Sequence, residues 1–227
     1  MRLLKADEKA LKALDASSYA SVRSAVIVLR DEDKAAARAH FRTPLVFSVH
    51  EAKGLEYTNV ILFNLVSGNR AVYADLCTDV VAADLEGDEL DYRRAKDKAD
   101  KSLELNKFYV NSLYVAMTRA MEGLALVESD VRHPLLGLLG LEEIVEIATG
   151  PVQASTKDEW AQEARKLELQ GKQEQARAIR ETFLGSRPTP WTPWSLTALR
   201  EWAPKALNPS QTYLKFQRRS AARSCVG

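Results

Sequence analysis

The sequence predicts a parallel α/β fold, on three observations. Short, predominantly apolar runs recur at residues 25–29, 45–49, 60–65 and 124–127, the first and last of them unbroken, the pattern of strands buried on both faces. Stretches with helical periodicity lie between the runs, as a parallel sheet requires of its crossovers. Apolar residues make up 46% of the 227 residues and charged residues 28%, a composition that buries a core and excludes a disordered chain.

Each element follows in order. Residues 3–14 set Leu3, Leu4, Leu11 and Leu14 among Lys, Asp and Glu, which reads as an amphipathic docking helix or extension covering residues 1–21. The run at 25–29 is the first strand. Asp31 stands at an N-cap position before an alanine-rich helix reaching His40; Pro44 ends it, and residues 45–49 resume as a strand. A glycine-containing turn leads to the strand at 60–65. Residues 66–108 are mostly polar, and Asp79, Asp84, Glu86, Asp88, Glu89 and Asp91 follow one another without a Lys or Arg. That run reads either as a solvated loop and helix face or as a regulatory, partner-docking insertion. After a further helix comes the strand at 124–127. Residues 135–148 then read as a helix stopped by Gly150-Pro151, where a domain boundary is expected: residues 22–150 before it, a helical C-terminal extension, 151–227, after it.

In that extension, residues 157–184 read as a helical hairpin. Trp160, Ala164, Leu167, Gly171, Ala176 and Phe183 sit near the positions of a tetratricopeptide unit. A lone unit cannot bury its faces, so a hairpin packed on the main domain is the simpler expectation. The tail interleaves Pro188, Pro190 and Pro193 with Trp191 and Trp194. Beyond Trp202 it has Lys205, Lys215, Arg218, Arg219 and Arg223 and no acid, either a solvated terminus or a nucleic-acid contact.

Lys and Arg total 32 against 31 Asp and Glu, so the net charge of +1 supplies no global basic field, and a nucleic acid has to be met by a local patch. Cys77 and Cys225 form no CxxC or Cys/His cluster, which argues against a disulfide framework or zinc site and fits a reducing, cytoplasmic setting. No apolar run approaches the roughly 20 residues that span a bilayer, so no membrane partner is expected.

Two segments carry chemistry. The first, VFSVHEAKGLEYTNVIL at residues 46–62, is a strand, a polar turn and a strand. If its loop opens at the carboxyl end of the sheet, Ser48, His50, Lys53 and Glu56 emerge there, and Gly54 permits close backbone approach to a ligand. The second, FYVNSLYVAMTRA at residues 108–120, ends in Thr118 and Arg119, the latter a planar cation suited to a developing phosphoryl charge. Taken singly, His50 also reads as a structural histidine, and Tyr109 and Tyr114 as core or rim aromatics.

In this order, HEAKGLEYTNVIL and LYVAMTRA closely resemble motifs V and VI of the UvrD/Rep-type superfamily 1 helicases, over residues 22–130. The resemblance implies the second RecA-like motor domain of such an enzyme: a parallel sheet flanked by helices, closing on ATP and Mg²⁺ held mainly by a first motor domain, in cis or in trans. It implies Ser48, His50 and Lys53 as contacts to single-stranded nucleic acid, DNA above all, and Gly54, Glu56 and Tyr114 beside the nucleotide, with Lys53 able to serve either surface. Arg119 matches the arginine finger, and Tyr114 its support. No metal ligands are implied for this chain. No GxxxxGK[ST] loop occurs in the 227 residues, so the chain alone is expected to be a motor fragment without ATP turnover, or else a non-catalytic interaction module on the helicase fold. Where relatives often carry an arginine ahead of the motif VI tyrosine, this chain has Asn111 and Ser112. The large helical insertion that many relatives place before motif V has no room between Arg30 and Leu45.

Overall fold

A computed structural model of the chain describes residues 1–78, 80–81, 101–144 and 154–185. They build a five-stranded, wholly parallel sheet of β1 (Arg2–Lys5), β2 (Ser24–Val28), β3 (Val46–Ser48), β4 (Tyr57–Phe63) and β5 (Ala120–Glu128), in the order β1-β5-β4-β2-β3. Around it lie α1 (Glu8–Ser18), α2 (Lys34–Arg38), α3 (Arg70–Leu76), α4 (Lys101–Met117), α5 (Pro134–Leu138), α6 (Lys157–Leu169) and α7 (Gln173–Ile179), the last running on as a π-helical turn, Arg180–Leu184. This is the α/β class expected, a parallel sheet flanked by helices, consistent with a RecA-like core. Among the described residues no helix is long and apolar enough to cross a membrane.

Strand parity makes the core. Successive side chains of a strand point to opposite faces, so an unbroken apolar run serves two layers at once. Ala25, Ile27, Phe47, Val60, Leu62 and Leu126 belong to one cluster, with Tyr109, Leu113 and Ala116 of α4. Val26, Val28, Val46, Ile61, Phe63, Ala125 and Val127 belong to the other, with Leu11 and Leu14 of α1 and Phe41.

The same parity corrects the reading of the first residues. Leu3 and Leu4 lie in a strand, not a helix: β1 pairs with β5 from Arg2↔Ala125 to Lys5↔Glu128, and the adjacent leucines serve opposite clusters. The helix starts only after Asp7, whose carboxylate accepts from the Ala10 amide at 2.7 Å. Residues 1–21 are thus part of the sheet and its packing, not an extension. Similarly, Asp31 does not cap a helix. It opens a 3₁₀ turn, Asp31–Asp33, and α2 follows.

The expected helix at 135–148 stops at Leu138. Gly140 takes a left-handed backbone, and the chain then runs beside β1, where the Ile144 amide donates to the Leu3 carbonyl at 2.8 Å. An edge strand with unpaired carbonyls captures this segment, overriding its helical periodicity. The rest of that stretch, Gly150-Pro151, the acidic run from Asp79 to Asp91, Cys225 and the Pro/Trp and basic tail lie outside the described residues.

The hairpin of α6 and α7 is present. A Thr156/Glu159 capping box starts α6, and Gly171 turns the chain at φ +76°. The boundary expected at residue 150 does not separate it from the sheet: Trp160, Ala164, Leu167, Ala176 and Ile179 are buried in the same cluster as Phe47, Leu55 and Tyr57, and Met1–Gly185 forms one unit.

Candidate functional site

The turn after β3 is built by its own side chains. Ser48 and Glu51 cap each other: the Ser48 amide donates to Glu51 Oε2 at 3.0 Å, and the Glu51 amide to Ser48 Oγ at 3.3 Å. The Ala52 amide then donates to the Ser48 carbonyl at 2.8 Å and the Leu55 amide to the Ala52 carbonyl at 3.0 Å. Ala52 and Leu55 plug the turn into the core at 1% exposure. His50, Lys53, Gly54 and Glu56 are left facing solvent, and Gly54 has φ +81°. Ser48 is 1% exposed. Strand parity buries the Ser48 side chain, and its hydroxyl oxygen serves the turn by accepting from the Glu51 amide, so the side chain expected to meet nucleic acid is not presented to solvent.

Helix α4 buries Tyr109, Ser112, Leu113 and Ala116 and exposes the opposite face, with Asn111 in solvent and Tyr114 67% exposed. Arg119 occupies the two-residue turn between α4 and β5. Its Nε donates to the Val115 carbonyl at 3.0 Å, Nη1 to the Leu55 carbonyl at 3.2 Å and Nη2 to Thr118 Oγ1 at 3.1 Å. The Tyr57 amide donates to the Arg119 carbonyl at 3.0 Å. The two motifs are therefore stitched together at Leu55–Tyr57 and Arg119. A guanidinium has five N–H donors, so each Nη keeps one N–H beyond these contacts. Val115, Thr118 and Leu55 hold the guanidinium; Tyr114 contributes only its backbone carbonyl, to the Thr118 amide.

Strand direction separates the candidates. His50 follows the carboxyl end of β3, whereas Glu56 immediately precedes β4 and Arg119 immediately precedes β5, both at the amino edge of the sheet. The four residues expected to emerge together do not, because the turn runs from one edge of the sheet back to the other within residues 49–56.

The carboxyl edge holds groups that periodicity alone misses. β2 leads outward to β3, and the chain returns to β4 on the other side of β2, which makes the crevice beyond β2 and β4 the topological switch point of the sheet. Arg30 lies there, donating to Tyr109 Oη at 2.6 Å, and Tyr109 donates on to Asn69 Oδ1 at 3.3 Å. Next to it Lys34, 7% exposed, contacts both oxygens of Glu51 at 3.0 Å, Glu174 at 2.9 Å and Asp31 at 3.5 Å. Burial alone would lower the ammonium's pKa, but hydrogen bonds to Glu174 and Glu51 outweigh it and raise it. Glu174 is held below the usual carboxylate range, chiefly by that same Lys34 bond. The Ser48 hydroxyl does the same for Asp31, helped by Lys34 and His50. Glu51 was detectable in advance, since S-x-x-E is a capping box; Lys34 and Glu174, distant in sequence, carry no such signal.

Comparison of the chain with protein-family models, with curated proteins and with solved structures finds no match.

Proposed function

We propose that this chain supplies the second motor domain of an ATP-dependent helicase or translocase of the UvrD/Rep type, with Arg119 as the cation that meets the transferring phosphoryl group and the His50/Lys53 turn as part of a single-strand surface. The observation that carries the reading is Arg119, oriented by the Val115 and Leu55 carbonyls at a two-residue turn and in direct contact with the Gly54-Leu55-Glu56 segment. A fixed guanidinium with N–H groups to spare suits phosphate oxygens, and its orientation is set before any ligand arrives. Arg119 and Glu56, at the amino edge of the sheet, lie apart from His50 at the carboxyl end of β3, an arrangement that suits separate nucleotide and nucleic-acid surfaces.

The donor set fits the nucleotide better than its metal ion. Arg119 and Arg30 are cations, and among the described residues no group of three or more His, Cys, Asp or Glu assembles to hold a metal. ATP bound elsewhere supplies the phosphoryl group to be transferred; this chain's residues bind, orient and neutralise charge. Adding a first motor domain should produce single-strand-stimulated ATPase, and Arg119→Ala should lower kcat by about 10³ or more. Full activity in that variant sinks the assignment.

A second reading, a protein-interaction module without catalysis, is favoured by exposed apolar side chains near the second motif: Val110 at 53%, Tyr114 at 67% and Met121 at 61%. ATPase insensitive to Arg119→Ala but partner capture lost in Tyr114→Asp would select it.

A further inference from the structure

We propose that the α6–α7 hairpin sets the conformation of the 49–56 turn, with Lys34 and Gln175 as positioning residues acting through Glu51. The effect on nucleic-acid binding rests on the motor-domain reading; the effect on the turn rests on geometry alone. Glu51 is the pivot. Its Oε2 accepts the Ser48 amide, the Lys34 ammonium and, at 3.4 Å, Gln175 Nε2, while Oε1 takes a second Lys34 contact. His50 precedes it directly and Lys53 follows two residues later, so the orientation of Glu51 fixes where both exposed side chains project.

Two of these partners tie the pivot to the hairpin. Glu174 of α7 shares the Lys34 ammonium and also receives Arg38 at 2.6 Å. Gln175 is 1% exposed and donates to the Val46 carbonyl at 3.0 Å. That carbonyl lies on the outer rim of β3, because the neighbouring Leu45 carbonyl points inward to the Val26 amide. One amide group thus closes the open edge of the sheet and reaches the turn.

Gln175 Oε1 is buried without a hydrogen-bond partner among the described residues. A buried amide oxygen left unpaired is costly, and an apolar side chain would fill the space without that cost. The amide is accounted for by its donors, and both donor contacts end on the β3 edge and Glu51. Lys34 follows the same logic: a buried ammonium persists only where it is paired, and its partners come from the turn, the 3₁₀ turn and α7 together.

The test uses the full chain and two readouts. Hydrogen exchange is followed at the Ser48, Ala52 and Leu55 amides, with β4 and β5 amides as the global reference, and single-stranded DNA binding is measured by anisotropy across a salt series. In Gln175→Met and Lys34→Met, exchange at the turn should rise about tenfold while the β4 and β5 amides keep their rates, and DNA affinity should fall severalfold. Lys34→Arg, which keeps the charge, should restore both. Unchanged turn exchange, or acceleration spread evenly over β4 and β5, overturns the proposal. If Lys34→Met does not fold, Gln175→Met decides. A wild-type chain that binds no DNA at low salt removes the claim that the turn holds single strand by itself, and the exchange data still decide whether the hairpin positions the turn.

Discussion

Arg119 donates three hydrogen bonds within its own fold, and what remains of its donor capacity is what a ligand meets. Lysine lacks the planar fork that reaches Val115, Leu55 and Thr118 together, so Arg119→Lys should keep the charge and still lose most of the activity that Arg119→Ala loses. The assay is the same reconstituted ATPase. Gly54 is the other residue set by a single angle. At φ +81° a side chain is strained by the backbone alone, since a Cβ there meets nothing within 4 Å. Gly54→Ala should therefore cost about 1 kcal/mol, a fall in Tm of about 2–4 °C for a domain of this size, measured by thermal unfolding; no change would mean that the turn relaxes. Both residues were legible in the sequence because their chemistry is local: a glycine inside a polar turn, an arginine at the end of a helix. The burial of Ser48 is harder to read: the S-x-x-E spacing to Glu51 announces the cap, but which face of β3 the side chain occupies depends on strand parity against the neighbouring elements.

At the scale of elements, the apolar runs revealed β2, β3, β4 and β5 because burial on both faces leaves an unmistakable pattern. β1 is hidden in the sequence because Leu3 and Leu4, taken with Leu11 and Leu14, also satisfy a helical stripe, and only pairing with β5 distinguishes the two. The hairpin is legible from its apolar spacing, but its attachment through Lys34, Glu174 and Gln175 is not, since those contacts span more than a hundred residues. The attachment has a pH signature. Glu174 has a lowered pKa, so its contribution to stability is present above the ordinary carboxylate value of 4.5 and lost as pH falls through the lower folded value. Lys34 has a raised pKa, so its contribution is present below the ordinary 10.5 and lost as pH rises through the higher folded value. Buried Glu128 runs the other way from Glu174: burial raises its pKa against the Val66 and Ser67 amides, so its contribution is present below 4.5 and lost on rising through the folded value. Urea unfolding of wild type and Glu174→Gln, from neutral pH to about 3, should show a stability gap that closes on acidification. A gap constant with pH would mean that the contact is not ionic.

For the molecule as a whole, the question is whether the hairpin is an appendage or part of the fold. Trp160, Leu167 and Ile179 are each 1% exposed or less and pack in the cluster that contains Leu45, Phe47 and Tyr57. Trp160 stacks on Phe183 at 4.0 Å between centroids, and Phe183 meets Tyr19 beyond α1. Tyr57 donates to Glu163 at 2.9 Å, a phenol whose pKa is pushed far up by burial and then by that carboxylate. Burying such side chains contributes about 1.5–3 kcal/mol apiece, so removing three of them takes away much of the roughly 5–15 kcal/mol that keeps a domain folded. Their loss would also bare the Val46 carbonyl on the β3 edge, a row of unpaired backbone groups open to another chain. A chain ended after Ala154 should therefore lose cooperative unfolding and aggregate, while one ended after Gly185 should unfold in a single transition. Circular dichroism melts with light scattering distinguish them. A soluble, cooperative 1–154 chain would mean that the sheet folds without the hairpin and that the aromatic contacts at Trp160 and Phe183 dock it rather than complete the core.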